Sequence, residues 1–424
     1  MSAQIKSITD QMVTIELTVD LKSSMLETEE AIQESLNEAG CLATKVGLEQ
    51  FDTDGSPIEI GHTRWTSKNK EDKCYQTPYG EIIISRHVYQ TSKGGKTFCP
   101  LDQNARIIIH SSPRFAKQVS SKYALLNGRQ VVEDFFENHS RQITHAYVQH
   151  ISEAIGSIAQ AKEESWHYSI PELKESISTI AIGLDGTCML LSQEGYRLAM
   201  VGTLSLYNKE GERQHSIYLG ATPEYGKASF LKRLEYEINE LKKHYPKAVF
   251  IGVADGASDN WSFLNKQTEY QILDFFHATE YLGEVAKAVF KNKEEREDWL
   301  DNKCHQLKHK NGAATRILNE IIKFRKQKFS KAKNMILDKT ITYFKNQKHR
   351  MKYAKFQQFG FPIGSGVTEA ACKTLVKQRL CASGMRWKEK GASIVLSLRA
   401  LVLTTKRWSQ FWNKINQYGC SALT

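Results

Sequence analysis

Three carboxylates in this chain stand in settings suited to phosphodiester chemistry: Asp185 in Ile-Gly-Leu-Asp-Gly, Asp255 in Gly-Val-Ala-Asp-Gly and Glu369 in Gly-Ser-Gly-Val-Thr-Glu. Hydrolysis or transfer of a phosphodiester is an in-line displacement at an anionic centre. Mg²⁺ prefers carboxylate oxygen and water, and two such ions roughly 3.5–4 Å apart activate the incoming oxygen and stabilise the leaving one. Three carboxylates would hold two Mg²⁺ ions, with Mn²⁺ as a substitute. A lone Asp-Gly after a strand is usually a turn, and a glutamate in the first turn of a helix is favoured by the dipole alone. The expectation therefore rests on the recurrence of Asp-Gly after two apolar runs. The glycine after each aspartate is expected to leave room for a metal or a phosphate. Ser365 is expected to cap the helix that carries Glu369 and continues through Leu380. Steps of four then put Lys373 and Lys377 on the same face, as cations for DNA phosphates.

These acids need elements to carry them. Residues 180–184 read as a short buried strand ending in Asp185, and 196–207 and 213–219 as two more strands joined by Asn208-Lys209-Glu210-Gly211. A helix over 230–245 places Leu231, Leu234, Ile238 and Leu241 on one face, and Pro246 stops it. Residues 248–254 form a second buried strand ending in Asp255, and 270–276 a fifth strand. Three strands, helix, strand, helix, strand is the order of an RNase H-like α/β domain, in which the first and fourth strands lie side by side and bring their ends together. That domain is read over 176–424, with an inserted helical subdomain over about 284–355. Asp259 and Asn260 read as the start of a helix.

Upstream, residues 25–39 carry Met25, Leu26, Ile32 and Leu36 among acids, an amphipathic helix that Gly40 can stop. Alternating segments at 58–65 and 81–89, closed by Pro100, complete a helix plus β-containing module over 1–105. Residues 106–170 read as a helical module. Phe115, Val119 and Tyr123 mark one helix, Val131, Val132, Phe135 and Phe136 a second, and Ile143, Tyr147, Val148 and Ile151 a third. Such a trio is compatible with a helix-turn-helix whose last helix would enter the major groove with Gln142, Thr144, His145 and Gln149; a plain packing unit is the other reading.

Charge sharpens the partner. The net charge is +11, yet 287–355 holds 20 Lys or Arg against 7 Asp or Glu, and 356–424 holds 10 against 2, which leaves −10 for residues 1–286. A basic C-terminal part beside an acidic remainder points to a polyanionic partner there, since Lys and Arg that neutralise phosphates release counterions. Lys323, Arg325, Lys326 and Lys328 of the insertion are candidates to grip double-stranded DNA. Eight scattered cysteines without a CxxC pair fit a reducing cytoplasm. Neither a basic start with an apolar run nor a stretch near 18 apolar residues is present, so no export or membrane insertion is expected. Cys74, His87, Cys99 and His62 could compose a zinc site, though their spacing fits no standard pattern. Cys188, Cys372 and Cys381 are expected to be small core residues.

The segments GVADGASDNW, DFFHATEYL and PIGSGVTEAACKTLVKQRLCASGMRW, with the earlier YQTPYGEIIISRHVY and its following PLD, resemble those of insertion-sequence transposases of the ISKra group, bacterial relatives of the Mutator-like DDE transposases. The resemblance runs over most of the chain. It implies that Asp185, Asp255 and Glu369 are the DDE triad, and that the enzyme hydrolyses a strand to free a 3′-hydroxyl and then joins that hydroxyl to target DNA. It also implies an oligomer assembled on paired element ends. The family pattern of Cys or Asp, two residues, then His falls on Asp274-Phe275-Phe276-His277, which implies an auxiliary active-site role for His277 and a lesser one for Asp274. Arg386 and Trp387 of the closing motif would contact DNA by phosphate pairing and base stacking, with core packing the alternative for Trp387. A nuclease that only cuts, such as a junction resolvase, and a relative that only binds DNA are the competing readings.

Overall fold

A computed structural model describes residues 2–163, 165–223 and 227–419. The chain divides into two compact units, one of Met1–Ser169 with Ser397–Val402 and Lys406–Thr424, the other of Ile170–Leu396 with Leu403–Thr405. The two N-terminal modules read from the sequence thus form one unit, and Ser397–Val402 and Lys406–Thr424, at the end of the stretch assigned above to the α/β domain, belong with them.

In the first unit, β1 (Ala3–Ile8) and β2 (Val13–Leu17) form an antiparallel hairpin. Helix α1 (Met25–Glu49) starts at Ser24, whose side chain accepts from the Glu27 amide. It does not stop at Gly40. A Cβ there would lie 2.3 Å from the Tyr79 ring, so this glycine serves a close approach inside the helix. Strands β3 (Ile58–Ile60), β4 (Thr63–Gln76) and β5 (Glu81–Thr91) form an antiparallel sheet. Short helix α2 (Pro100–Asn104) closes it, and Leu48, Tyr75, Ile82, Ile84 and Leu101 make a shared core. The helical trio follows as α3 (Pro113–Leu125), α4 (Gly128–His139) and α5 (His145–Lys162). Its centre is Phe115, 5.3 Å from the Phe135 ring and 6.1 Å from Tyr147. Asn127 and Gln130 form a capping box that fixes the start of α4.

The second unit is built on a five-stranded sheet. In chain order its elements are β6 (Thr179–Leu191), β7 (Gly195–Tyr207), β8 (Arg213–Ala221), α6 (Ala228–His244), β9 (Val249–Ala254), α7 (Ser258–Gln267), β10 (Tyr270–Leu273) and α8 (Phe275–Val289). The strands lie in the order β10-β9-β6-β7-β8. β7 is antiparallel to both of its neighbours, β6 and β8, while β9 and β10 run parallel to β6 and β9 respectively. Residues 179–184 are all buried, which is why they read as an unbroken apolar run rather than an alternating one.

Two corrections apply to the strands. β6 does not end at Asp185 but continues to Leu191, paired with β7 throughout and bridged at its end by Trp387. The fifth strand ends at Leu273, because Asp274 accepts from the His277 amide and caps α8 there. Helices α9 (Lys293–His309), α10 (Ala313–Arg325), α11 (Lys331–Gln347) and α12 (Tyr353–Gln358) form the insertion. Its Leu307, Ile317, Ile321, Leu337 and Phe344 share one core cluster with the strands, so the insertion packs as part of this unit. After it come α13 (Gly366–Ala371), a π-helical turn (Cys372–Lys377), α14 (Gln378–Leu380) and α15 (Glu389–Leu403). The last helix, α16 (Arg407–Tyr418), belongs to the first unit, where Phe411 packs on Trp166. Among the described residues no helix is long and apolar enough to cross a membrane.

Candidate functional site

Strand register brings the acids together. β6 and β9 pair from Thr179 with Val249 to Gly183 with Val253, and β9 and β10 from Ile251 with Tyr270 to Ala254 with Leu273. Continuing this register past the last paired residues puts Asp185 of β6 level with Asp255, which follows β9, and Asp255 level with Asp274, which follows β10. Among the described residues, Asp185 and Asp255 do not join Glu369 in a group of three ligand atoms within 4.8 Å. Where β9 stops, buried Asn260 of α7 donates to the Leu184 carbonyl at 3.1 Å, and so closes the gap that strand pairing leaves. Asp185 Oδ1 accepts from the Gly186 amide at 2.7 Å, and Asp255 Oδ1 from the Ala257 amide at 3.1 Å.

The glycines that follow the two aspartates do not leave open space. A Cβ on Gly186 would lie 2.7 Å from Leu198, and Gly256 adopts φ +109° with Tyr343 3.2 Å from where its Cβ would be. Tyr343 of α11 donates its hydroxyl to the Asp255 carbonyl at 3.0 Å, and Gln347 donates to the Gly256 carbonyl at 3.3 Å. The insertion thus clamps the loop of the second aspartate, a role with no sequence signal.

Glu369 reaches the site through a close helix–strand contact. A Cβ on Gly183 would meet Thr368 Oγ1 at 1.8 Å and Thr203 Oγ1 at 2.6 Å, and the two threonine hydroxyls bond each other at 2.7 Å. Ser365 does not cap α13 with its side chain; its hydroxyl instead donates to Glu369 Oε1 at 2.8 Å. Buried Cys372, on the π-helical turn, donates its thiol to Asp185 Oδ2 at 3.4 Å. Burial, and then the neighbouring Asp185 carboxylate, push the Cys372 pKa well up, so the thiol stays a donor.

His277 sits in the first turn of α8 rather than at a strand end. Its Nδ1 is 3.2 Å from Glu280 Oε2. Burial alone would lower its pKa, but the carboxylates of Asp274, Glu280 and Asp255 raise it above the ordinary histidine value. Asp274 is 0% exposed, and its carboxylate accepts from the His277 amide through Oδ1 at 2.7 Å and from the Ser365 amide through Oδ2. With Phe275 N–H donating to the Ile363 carbonyl, these bonds fix the segment that starts α13. Asp274, His277 and Glu369 offer ligand atoms that all lie within 4.8 Å of one another.

Among the described residues no Lys or Arg is ion-paired with Asp185, Asp255 or Glu369. Their bonded oxygens each have a single partner, and a carboxylate oxygen has two lone pairs. Oxygen donors with spare lone pairs and no ion-paired Lys or Arg fit a hard dication.

Other expected residues fall as follows. Lys373 and Lys377 line one open depression with Glu369 and Gly366. Arg386 is exposed. Trp387 is half-buried: its indole N–H donates to the Leu380 carbonyl at 3.0 Å, its amide bonds the Leu190 carbonyl, and the Arg379 guanidinium stands 5.2 Å from the ring centroid. That ring serves packing. Lys323, Lys326 and Lys328 are exposed, whereas Arg325 pairs with Asp338 at 2.7 Å. Gln142, Thr144, His145 and Gln149 are exposed at the start of α5. Thr144 is its N-cap, accepting from the Tyr147 amide at 3.1 Å, and Gln149 bonds Glu153 at 2.7 Å. Cys74, His87, Cys99 and His62 form no metal-holding group of three among the described residues; His87 pairs with Asp52 at 3.1 Å instead. Cys188 and Cys381 are exposed rather than core. No protein-family model matches this chain, and no curated protein sequence matches it.

Proposed function

We propose that this protein is a DNA transposase of an insertion sequence, of the ISKra group, with an RNase H-like catalytic domain. The observation that carries the reading is the register of the parallel strands β6 and β9, which, extended by two residues, sets Asp185 level with Asp255, beside a helix that carries Glu369, with no Lys or Arg paired to any of the three. The paired first and fourth strands and the antiparallel first three are the order such a domain requires.

Asp185, Asp255 and Glu369 would hold two Mg²⁺ ions, with Mn²⁺ as substitute, which supply charge neutralisation and activation for in-line displacement at phosphorus. The chain's own residues do the positioning. Cys372 orients Asp185, Ser365 orients Glu369, and Tyr343 with Gln347 holds the Asp255 loop. Lys373 and Lys377, beside Glu369, are placed for the backbone phosphates that flank the scissile bond. His277 is an auxiliary residue, either orienting the scissile phosphate or supporting a ligand. The exposed lysines of the insertion grip duplex DNA, α3–α5 contribute to recognition of the element ends, and the protein acts as an oligomer on paired ends.

The test is cleavage and joining of labelled DNA carrying the element ends, with Mg²⁺ or Mn²⁺, by the wild type and by Asp255→Asn and Glu369→Gln variants that fold and bind DNA. The wild type should cut and join, and both variants should do neither. Cutting without joining would favour a nuclease, binding alone a non-catalytic relative, and active variants would remove the triad.

A further inference from the structure

We propose that Asp274, His277 and Glu369 form a binding site for a divalent transition-metal ion, of the class that takes imidazole nitrogen together with carboxylate oxygen. Their ligand atoms lie within 4.8 Å of one another, and they come from the two segments that the Asp274 carboxylate ties together: the start of α8 and the residues that open α13. The site is held by backbone bonds before any ion arrives.

The donor set chooses the ion. His277 Nδ1 lies 3.2 Å from Glu280, so a metal bound through the other ring nitrogen would have a carboxylate behind its imidazole. A carboxylate on the far nitrogen is the arrangement that orients metal-bound imidazoles and raises their basicity. Glu280 is not a member of the ligand group, so this partner is an observation separate from the cluster itself. Asp274 keeps a lone pair on each oxygen beyond its two amide bonds, and Glu369 keeps Oε2 beyond its bond to Ser365. Two carboxylates and one imidazole suit Mn²⁺, Co²⁺ or Zn²⁺, whereas Mg²⁺ prefers oxygen alone. Asp274 is buried and Glu369 exposed, so the site opens on one side, where water completes the coordination.

The site shares Glu369 with the triad but does not rest on the transposase reading. Failure of strand cleavage would leave it standing, and its loss would leave Asp185 and Asp255 in place.

Co²⁺ is the probe, titrated into the full-length protein in excess Mg²⁺ and followed by visible absorption, with circular dichroism verifying that each variant is folded. The wild type should bind one Co²⁺ that excess Mg²⁺ does not displace. His277→Ala should lose the absorption band, and Glu280→Gln should weaken binding by about 10–100-fold. Asp185→Asn should bind Co²⁺ as the wild type does. The proposal is overturned by a wild type without the band, by a band that persists unchanged in His277→Ala, or by its disappearance in Asp185→Asn, which would assign the ion to the triad.

Discussion

At the scale of single residues, the three proposed metal-holding carboxylates have partners that hold them still. Cys372 is the clearest, because its thiol donates to Asp185 Oδ2 and burial keeps it protonated. Replacing it with Ser keeps a donor, whereas Ala removes one. On the proposed reading, Cys372→Ala should raise the Mg²⁺ concentration for half-maximal cleavage by about 10-fold, the lower end of what loss of a partner to a metal ligand costs, while Cys372→Ser stays close to wild type. A merely packed cysteine would give the opposite ranking, since Ser leaves a buried hydroxyl and Ala only a small void. Nothing in the sequence signals this role. Cys372 lies in an apolar helical run, and its partner is 187 residues away. The three proposed triad acids, by contrast, are marked in the sequence, because each follows an apolar run or a Gly-Ser-Gly turn that can be recognised locally.

At the scale of elements, the contact between β6 and α13 decides where Glu369 stands, and Gly183 permits it. Gly183→Ala would drive a methyl into Thr368 and Thr203 and should cost about 1–3 kcal/mol, the usual penalty of overpacking. Urea unfolding should show a lower midpoint with an unchanged slope; an unchanged midpoint would mean that helix and strand are not in close contact. The strands of this sheet show in the sequence as buried apolar runs, as with residues 180–184 and 248–254, although the Asp185-Gly186 that follows the first run lies inside β6 rather than in a turn. The run at 270–276 misleads because Phe275 and Phe276 extend its apolar character past Leu273, while Asp274 caps a helix; a short apolar run has no period that separates strand from helix start. Gly40 misleads in the other direction, since a glycine within a helix can answer a tertiary neighbour, here Tyr79, rather than end the helix. The β1–β2 hairpin is only weakly marked: β1 is exposed after Ala3, and the alternation of half-buried Val13, Ile15 and Leu17 with exposed Thr14 and Glu16 spans just five residues.

At the scale of the whole molecule, charge is the property the sequence states most directly, and the structure shows which part of it is available. The stretch 287–355 holds 20 Lys or Arg against 7 acids, but the ones that count for a polyanion are those not already neutralised. Arg325 is paired with Asp338 and Lys303 with Glu320, whereas Lys323, Lys326 and Lys328 are exposed. Each phosphate contact adds roughly 0.9 to the slope of log affinity against log salt. Reversing those three lysines to Glu should therefore weaken binding to every DNA sequence alike and flatten the slope by about 2 to 3. Arg325→Glu alone should flatten it by less than one contact, because its guanidinium already neutralises Asp338. Binding of labelled duplex measured from low to high salt decides this. A wild-type slope in the triple variant would take the insertion off the DNA path and leave the depression lined by Lys373 and Lys377 as the phosphate-binding surface.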